Sequence, residues 1–306
     1  MIPRSALYQG MALVVLAVAC FAALDTATKL IALTVPALML VAFRYGFQAL
    51  VTTVALLWHG SPQRLRTAHP GLQLLRGALI VACSLITFFG LQQLPVGEFT
   101  AVMMLTPLVT AAGAALAAGQ RLAPLRWLLL LGSLAGALII VRPGHALFQL
   151  ASLLPLALVL TLAAFQLVTS RLARLEPAGT THFYTGCIGA VVGGLTLPWT
   201  WQMPANASVW LTLLLVSLFS TLGHYLLILA YDRAPAIELT PLFYFQIAFA
   251  MLGGWLVFAH MPDAWAWLGM GLIGLCGALS AVLGAREQAA RQAAANLADA
   301  WAEVAP

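Results

Sequence analysis

Apolar residues run through this chain in long blocks, and the polar residues collect in the short gaps between them. The blocks lie near 10–33, 36–58, 72–93, 97–118 and 124–142, then near 150–173, 178–199, 208–231, 235–258 and 264–284. Each is about the ~20 residues that carry an α-helix across the hydrocarbon of a bilayer. The gaps hold the residues that stop helices: Pro36, Gly60-Ser61-Pro62, Pro95, Pro124, Pro143-Gly144, Pro177, Pro204, Pro235 and Pro262. This pattern predicts an all-α membrane protein of ten transmembrane helices. Beyond Gly284 an Ala-rich tail, 285–306, carries Arg286, Glu287, Arg291, Asp299 and Glu303 and is expected to be a surface helix without chemistry.

Composition agrees with the pattern. Of 306 residues, 62% are hydrophobic and 8% charged, against about 45–50% and about 25% in soluble domains. Such a chain cannot cover a soluble surface with polar groups, so a water-soluble enzyme is excluded. Arg4, the apolar run behind it and Ala17-Val18-Ala19 imitate a cleaved signal peptide. The run continues to Leu33, however, and cleavage would remove a whole helix, so the segment is read as retained. Cys20, Cys83, Cys187 and Cys276 all fall inside apolar blocks without metal-ligand spacing; they read as small core residues, and neither metal nor cofactor is expected.

The chain has 14 Lys and Arg against 9 Asp and Glu. In a soluble protein that excess would point to nucleic acid. Here the bases sit between apolar blocks, where they set orientation and leave nucleic acid without a role. With the N-terminus inside, the inner gaps carry Arg4, Arg64, Arg66, Arg76, Arg121, Arg126, Arg171, Arg174, Arg233, Arg286 and Arg291, while the outer gaps carry only Arg142. Both termini are therefore expected in the cytoplasm, and the protein in a bacterial inner membrane.

The chain also repeats itself. Leu94-Pro95-Val96-Gly97-Glu98 matches Ala234-Pro235-Ala236-Ile237-Glu238 at an offset of 140, which also pairs Trp127 with Trp267, Gly46 with Gly186 and Phe43 with Phe183. Thr28-Lys29-Leu30 pairs with Ser170-Arg171-Leu172 at an offset of 142. Two units follow, 10–142 and 150–284, each of five helices. An odd number of crossings per unit makes the repeat inverted, and inverted repeats mark secondary transporters with a binding site near the midplane between the halves.

Ionisable groups in hydrocarbon need a partner or a wet cavity. Asp25 and Lys29 stand one helical turn apart, placed either to pair with each other or to clamp an amine and a carboxylate. Arg44, ~12 Å into the second helix at 1.5 Å per residue, snorkels, bonds a neighbouring carbonyl, or meets an anion. Glu98 and Glu238 each open a helix, where the free N–H groups favour a carboxylate; their symmetric placement equally suits gating or proton coupling. His224 and its repeat mate Ser84 lie deep in their helices, and Tyr225, Phe243, Tyr244, Phe245 and Gln246 supply either packing or an aromatic wall with polar handles. Thr106-Pro107 and Pro241 interrupt their helices and allow bends. Gly132/Gly136 and Gly189/Gly193 have the spacing of close helix contacts.

In these residues the chain resembles the EamA type of the drug/metabolite transporter superfamily over about 10–285. The resemblance is carried by Asp25 with Lys29-Leu30, Phe43-Arg44-Tyr45, Leu74-Leu75-Arg76-Gly77, Leu94-Pro95, Thr106-Pro107, Arg126-Trp127 and Arg142-Pro143-Gly144. The second half adds Ala234-Pro235-Ala236, Tyr244-Phe245-Gln246, Gly253-Gly254-Trp255-Leu256-Val257-Phe258 and Pro262-Asp263. It implies ten helices in two inverted five-helix repeats, cytoplasmic termini, and a cavity lined by helices 1, 3, 4, 6, 8 and 9. The nearest subgroup resembles carriers of S-adenosylmethionine, riboflavin, or carboxylates and amino acids. Where that family often has Gly-Glu, this chain has Gly119-Gln120 and Ala259-His260, so if those glutamates serve gating or coupling elsewhere, this chain does without them or uses His260.

The expected function is therefore alternating-access transport of a small organic metabolite, by a monomer or homodimer, with protons as a candidate coupling ion. Expected cargo contacts are Asp25, Lys29, Arg44, Ser84, Thr87, His224, Tyr244 and Gln246, with Glu98 and Glu238 as gating or proton-coupling candidates. A multidrug or cation exporter of the same fold is the alternative. An intramembrane enzyme is the remote one, since no nucleophile elbow, His-Glu-x-x-His pair or acidic metal cluster is present.

Overall fold

Helices supply every regular element among the residues that the computed structural model describes, which are 4–31, 34–58, 65–93, 102–117, 119, 123–141, 153–259 and 263–304. In chain order they are α1 (Arg4–Ile31), α2 (Ala37–Trp58), α3 (Pro70–Gln93), α4 (Thr106–Ala117), α5 (Pro124–Val141), α6 (Leu153–Leu172), α7 (Ala178–Thr200), α8 (Ala207–Arg233), α9 (Ala236–Leu239), α10 (Phe245–Phe258) and α11 (Ala264–Val304). Among the described residues, six helical stretches are long and apolar enough to span a bilayer, and three shorter apolar ones accompany them. The protein is a multi-pass helical membrane protein.

Three elements depart from the sequence expectation. α1 begins at Arg4, before its apolar run. The run predicted over 235–258 is divided: α9, a 3-10 turn over Thr240–Tyr244, then α10. Pro241 lies in that turn and withholds the N–H that a continuous helix needs there. The expected tail is no separate piece either, because α11 runs unbroken from the last apolar block to Val304. Glu98, Gln120, His260 and the gap bases Arg64, Arg121 and Arg142 lie outside the described residues.

The packing has a symmetry of its own. α1 packs on α8 and α10, and α6 packs on α3 and α4. α2 packs on α8, and α7 on α3; α2 also packs on α7, and α5 on α11. Exchanging α1, α2, α3, α4 and α5 for α6, α7, α8, α10 and α11 turns this set of neighbours into itself.

Close backbone approach explains the tightest pairs, because lipid tails give helices no hydrophobic reason to associate and van der Waals fit must do it. α7 turns Gly186, Gly189 and Gly193 toward α2. A Cβ at Gly193 would stand 2.6 Å from the Ala42 Cα, one at Gly186 would stand 2.7 Å from the Ala49 nitrogen, and Gly189 receives the Tyr45 ring. α5 meets α11 similarly: a Cβ on Gly136 would lie 2.8 Å from the Gly269 carbonyl, and one on Gly132 2.7 Å from the Cys276 sulfur. The four glycines singled out by spacing are thus helix contacts. Elsewhere side chains fill the seam, as where Leu7, Val14 and Val18 of α1 pack with Leu227, Ile228 and Tyr231 of α8.

Candidate functional site

Several polar side chains that sit inside apolar helices reach across the seam between the first-half and second-half helices. Arg44 of α2 donates from Nε and Nη2 to the Ser220 hydroxyl of α8, at 3.1 and 3.0 Å. Ser220 is fully buried, and the guanidinium carbon stands 5.5 Å above the Tyr45 ring. Arg44 thus neither snorkels nor takes a carbonyl; its partner is a hydroxyl.

Asp25 of α1 accepts a hydrogen bond from Gln246 Nε2 of α10 at 3.0 Å, and Arg44 is near enough to attract its carboxylate. The Asp25 side chain is nonetheless exposed. With α10 on one side and α2 on the other, that exposure faces a space between helices. Lys29, one turn on, sets its ammonium 5.0 Å over the Phe258 ring. The two residues share a face as expected, but each finds a partner on α10.

The other expected contacts divide into two groups. Ser84 donates to the Ile80 carbonyl at 3.0 Å and lies 3.3 Å from the Tyr45 hydroxyl; Thr87 donates to the Cys83 carbonyl at 2.7 Å. Such back-bonding satisfies a hydroxyl within its own helix. His224 is buried between Phe21, with ring centroids 5.0 Å apart, and Phe165, at 6.0 Å, and among the described residues its Nδ1 has no hydrogen-bond partner. Tyr244 turns away from this group. It is buried among Ala111, Leu130, Ala137, Ile247 and Ile273 and donates to the Met104 carbonyl at 3.0 Å.

Glu238 is held at another place. Arg126 Nη2 donates to both of its carboxylate oxygens, at 2.8 and 2.9 Å, and to Glu287 Oε2 at 2.7 Å. Arg126 and Glu238 are about nine-tenths buried. The network joins α5 of the first half to α9 and α11 of the second, so the tail does carry chemistry, contrary to expectation. A second carboxylate tie lies outside the spans, between α6 and α7. Glu176 accepts from Thr67 Oγ1 at 2.5 Å, Ala68 N at 2.8 Å, His69 N at 3.0 Å and His69 Nδ1 at 3.1 Å. Burial pushes the Glu176 carboxyl up, and these hydrogen bonds more than offset it, holding the group below the ordinary carboxylate value.

The burial of three residues escaped the sequence reading. Arg76 and Arg126 counted there as gap bases, yet both are buried within helices. The missed signal is depth: α3 starts at Pro70, so Arg76 lies ~9 Å along it at 1.5 Å per residue. His182 of α7 also passed unnoticed. Its Nε2 faces the Thr221 carbonyl at 3.0 Å and its Nδ1 the Thr52 hydroxyl at 2.7 Å. A carbonyl only accepts, so Nε2 carries the proton and Nδ1 accepts from Thr52. The His182 carbonyl takes Gln48 Nε2 at 2.9 Å, and α2, α7 and α8 are pinned together. Among the described residues no cluster of three or more His, Cys, Asp or Glu is arranged to hold a metal.

Comparison with known proteins agrees with this architecture. The model of the EamA-like transporter family matches residues 8–142 and 149–282. A riboflavin transporter of Rhizobium johnstonii is 31% identical over 232 residues, covering 76% of this chain and 76% of that protein. An S-adenosylmethionine uptake transporter of Rickettsia bellii is 24% identical, over 72% of this chain and 75% of that one. A protein of known crystal structure superposes with a TM-score of 0.77, covering 92% of this chain and 98% of its own, at 21% identity; it shares the fold.

Proposed function

The chain belongs to the EamA-like transporter family and is a secondary transporter of a small organic metabolite; from that premise we propose how it works. Two inverted five-helix units, 10–142 and 150–284, rock about their seam with both termini in the cytoplasm of a bacterium, in its inner membrane, and expose a midplane site to each side in turn. The observation that carries this reading is that the polar contacts at the open part of the site cross between halves. Arg44 reaches Ser220 and Asp25 reaches Gln246, so motion at the seam remakes the bonds that a cargo would use.

Asp25, Lys29, Arg44 and Gln246 form the open part of the site. An ammonium, a guanidinium, a carboxylate and an amide there suit a cargo that carries both charge and hydrogen-bonding groups. Ser84, Thr87 and His224 lie deeper, and Tyr244 fixes α10 against α4. Arg126 with Glu238 and Glu287 is the inner gate, which must part when the protein opens to the cytoplasm; Glu98 is its counterpart on the outer side. Riboflavin and S-adenosylmethionine, named for the relatives, are the first cargoes to try.

The test is uptake into proteoliposomes holding the purified full chain, across riboflavin, S-adenosylmethionine, amino acids, carboxylates and cationic drugs. Saturable uptake of one metabolite class, lost in Asp25→Ala or Arg44→Ala at normal folding, is the expected result. Flux at the level of empty liposomes for every compound would sink the reading. Collapse of an imposed proton gradient then separates coupled from facilitated transport.

A further inference from the structure

One charged side chain has no place in the site above. Arg76 of α3 is fully buried, and each partner that it reaches is neutral. Nε donates to Thr169 Oγ1 at 2.8 Å, and Nη1 to the Thr185 hydroxyl and, at 3.5 Å, to the Thr181 carbonyl. The guanidinium carbon lies 4.7 Å over the Phe165 ring. Among the described residues its remaining nitrogen, Nη2, has no hydrogen-bond partner.

Nη2 is not alone in this. The Phe165 ring beneath Arg76 also meets the edge of His224 at 6.0 Å, and His224 Nδ1 is unpartnered. Tyr231 of α8 is near enough to sense the guanidinium charge, is buried, and among the described residues its hydroxyl has no hydrogen-bond partner. Three buried polar atoms from α3 and α8, two of them on groups packed against one aromatic ring, are thus unmet among the described residues, while hydroxyls and a ring face soften the charge without neutralising it. A guanidinium in a span calls for a counter-charge or a wet cavity, and its fork matches the oxygens of a carboxylate or phosphate. Arg44 stands over the Tyr45 ring, which belongs to the same apolar cluster as Phe165, and its carboxylate neighbour is Asp25. Among the described residues, no ion pair joins Arg76 to a carboxylate.

We propose that Arg76 is an anion subsite for the transported cargo: an acid group of the metabolite, carboxylate or phosphate, docks on Nη2, with His224 Nδ1, beside the same Phe165 ring, and Tyr231 Oη completing its hydrogen bonds. The proposal rests on the transporter reading and narrows it to acidic metabolites. Arg76 is closed off in this conformation, so docking requires the α3–α8 seam to open, and a cargo bearing the acid favours that opening.

The test uses the full chain in proteoliposomes with two matched pairs, flavin mononucleotide against riboflavin and succinate against succinamide. The acid member of at least one pair is taken up tenfold or more faster than its neutral partner. Arg76→Gln abolishes that preference, while Arg76→Lys, which keeps the charge and loses the fork, retains part of it. Should Arg76→Gln fail to fold, Tyr231→Phe serves instead, with the preference reduced about fivefold. Equal or faster uptake of the neutral members overturns the proposal, as does a folded Arg76→Gln or Tyr231→Phe protein with its preference intact, or no uptake of any of the four. None of those results touches the transporter reading, which fails only if the wider panel also shows no flux.

Discussion

The Tyr244 hydroxyl donates to the Met104 carbonyl at 3.0 Å, and the two residues stand 140 apart, the spacing at which Pro95 and Pro235, and Trp127 and Trp267, recur. The bond therefore links corresponding positions of the two halves, where a pseudo-twofold axis would run. Tyr244→Phe removes one buried hydrogen bond and leaves a carbonyl unmet, about 1 kcal/mol. Thermal melts should show Tm lower by a few degrees with the cargo KM unchanged. A raised KM at unchanged Tm would instead make Tyr244 a cargo contact.

Arg126 holds two carboxylates at once. Removing it leaves Glu238 and Glu287 facing each other in a buried setting, and stranding a buried ion-pair partner costs about 3–5 kcal/mol. Arg126→Gln should lower Tm sharply, and Glu287→Gln only slightly, because both bonds to Glu238 survive. The charge swap Arg126→Glu with Glu238→Arg should recover much of the loss. If Arg126→Gln and Glu287→Gln melt alike, Glu238 adds nothing to the network.

Glu176 gives the protein a pH dependence of known sign. Its folded pKa lies below the unfolded one, so its stabilisation is complete above the ordinary carboxylate range. It is lost as pH falls through the depressed folded value. Melts from pH 7 into the acid range should show a fall in Tm that Glu176→Gln flattens, the variant being less stable than the parent at pH 7. Identical slopes would mean that the Thr67–His69 tie adds nothing.

Two glycines at the same place in the two halves should behave oppositely. Gly186 meets the α2 backbone at 2.7 Å, whereas nothing stands within 4 Å of a Cβ on Gly46. Gly46→Ala should be neutral or gain up to about 1 kcal/mol from helix propensity. Gly186→Ala drives a methyl into main chain that cannot yield, and should lower both the yield of monodisperse protein in detergent and its Tm. Equal yields and melts would show that α2 and α7 separate freely.

The helices were legible because hydrocarbon imposes length and composition on each one separately. What the sequence concealed is partner choice. Asp25 and Lys29 satisfy the i,i+4 rule, yet Gln246, 221 residues away, and Phe258 take them, because tertiary neighbours are held in place by packing that a local rule cannot see. Arg76 and Arg126 read as gap bases because a one-dimensional profile records that a helix begins and not how deep its first turns sit. The reading of Pro241 succeeded for the converse reason: a missing N–H acts on its own turn, whatever surrounds it.

α11 covers 41 residues, ~60 Å at 1.5 Å per residue, about twice the ~30 Å thickness of a bilayer's hydrocarbon. Roughly half of it must stand clear of the membrane as a mast, stepped at its foot by Glu287. A tilt of ~10° within the bilayer swings the free end of a ~30 Å mast by ~5 Å. Small rotations in the lipid thus become displacements in water, where a fluorophore pair between the masthead and the Thr67–His69 loop would report each turn of the cycle as a change of distance.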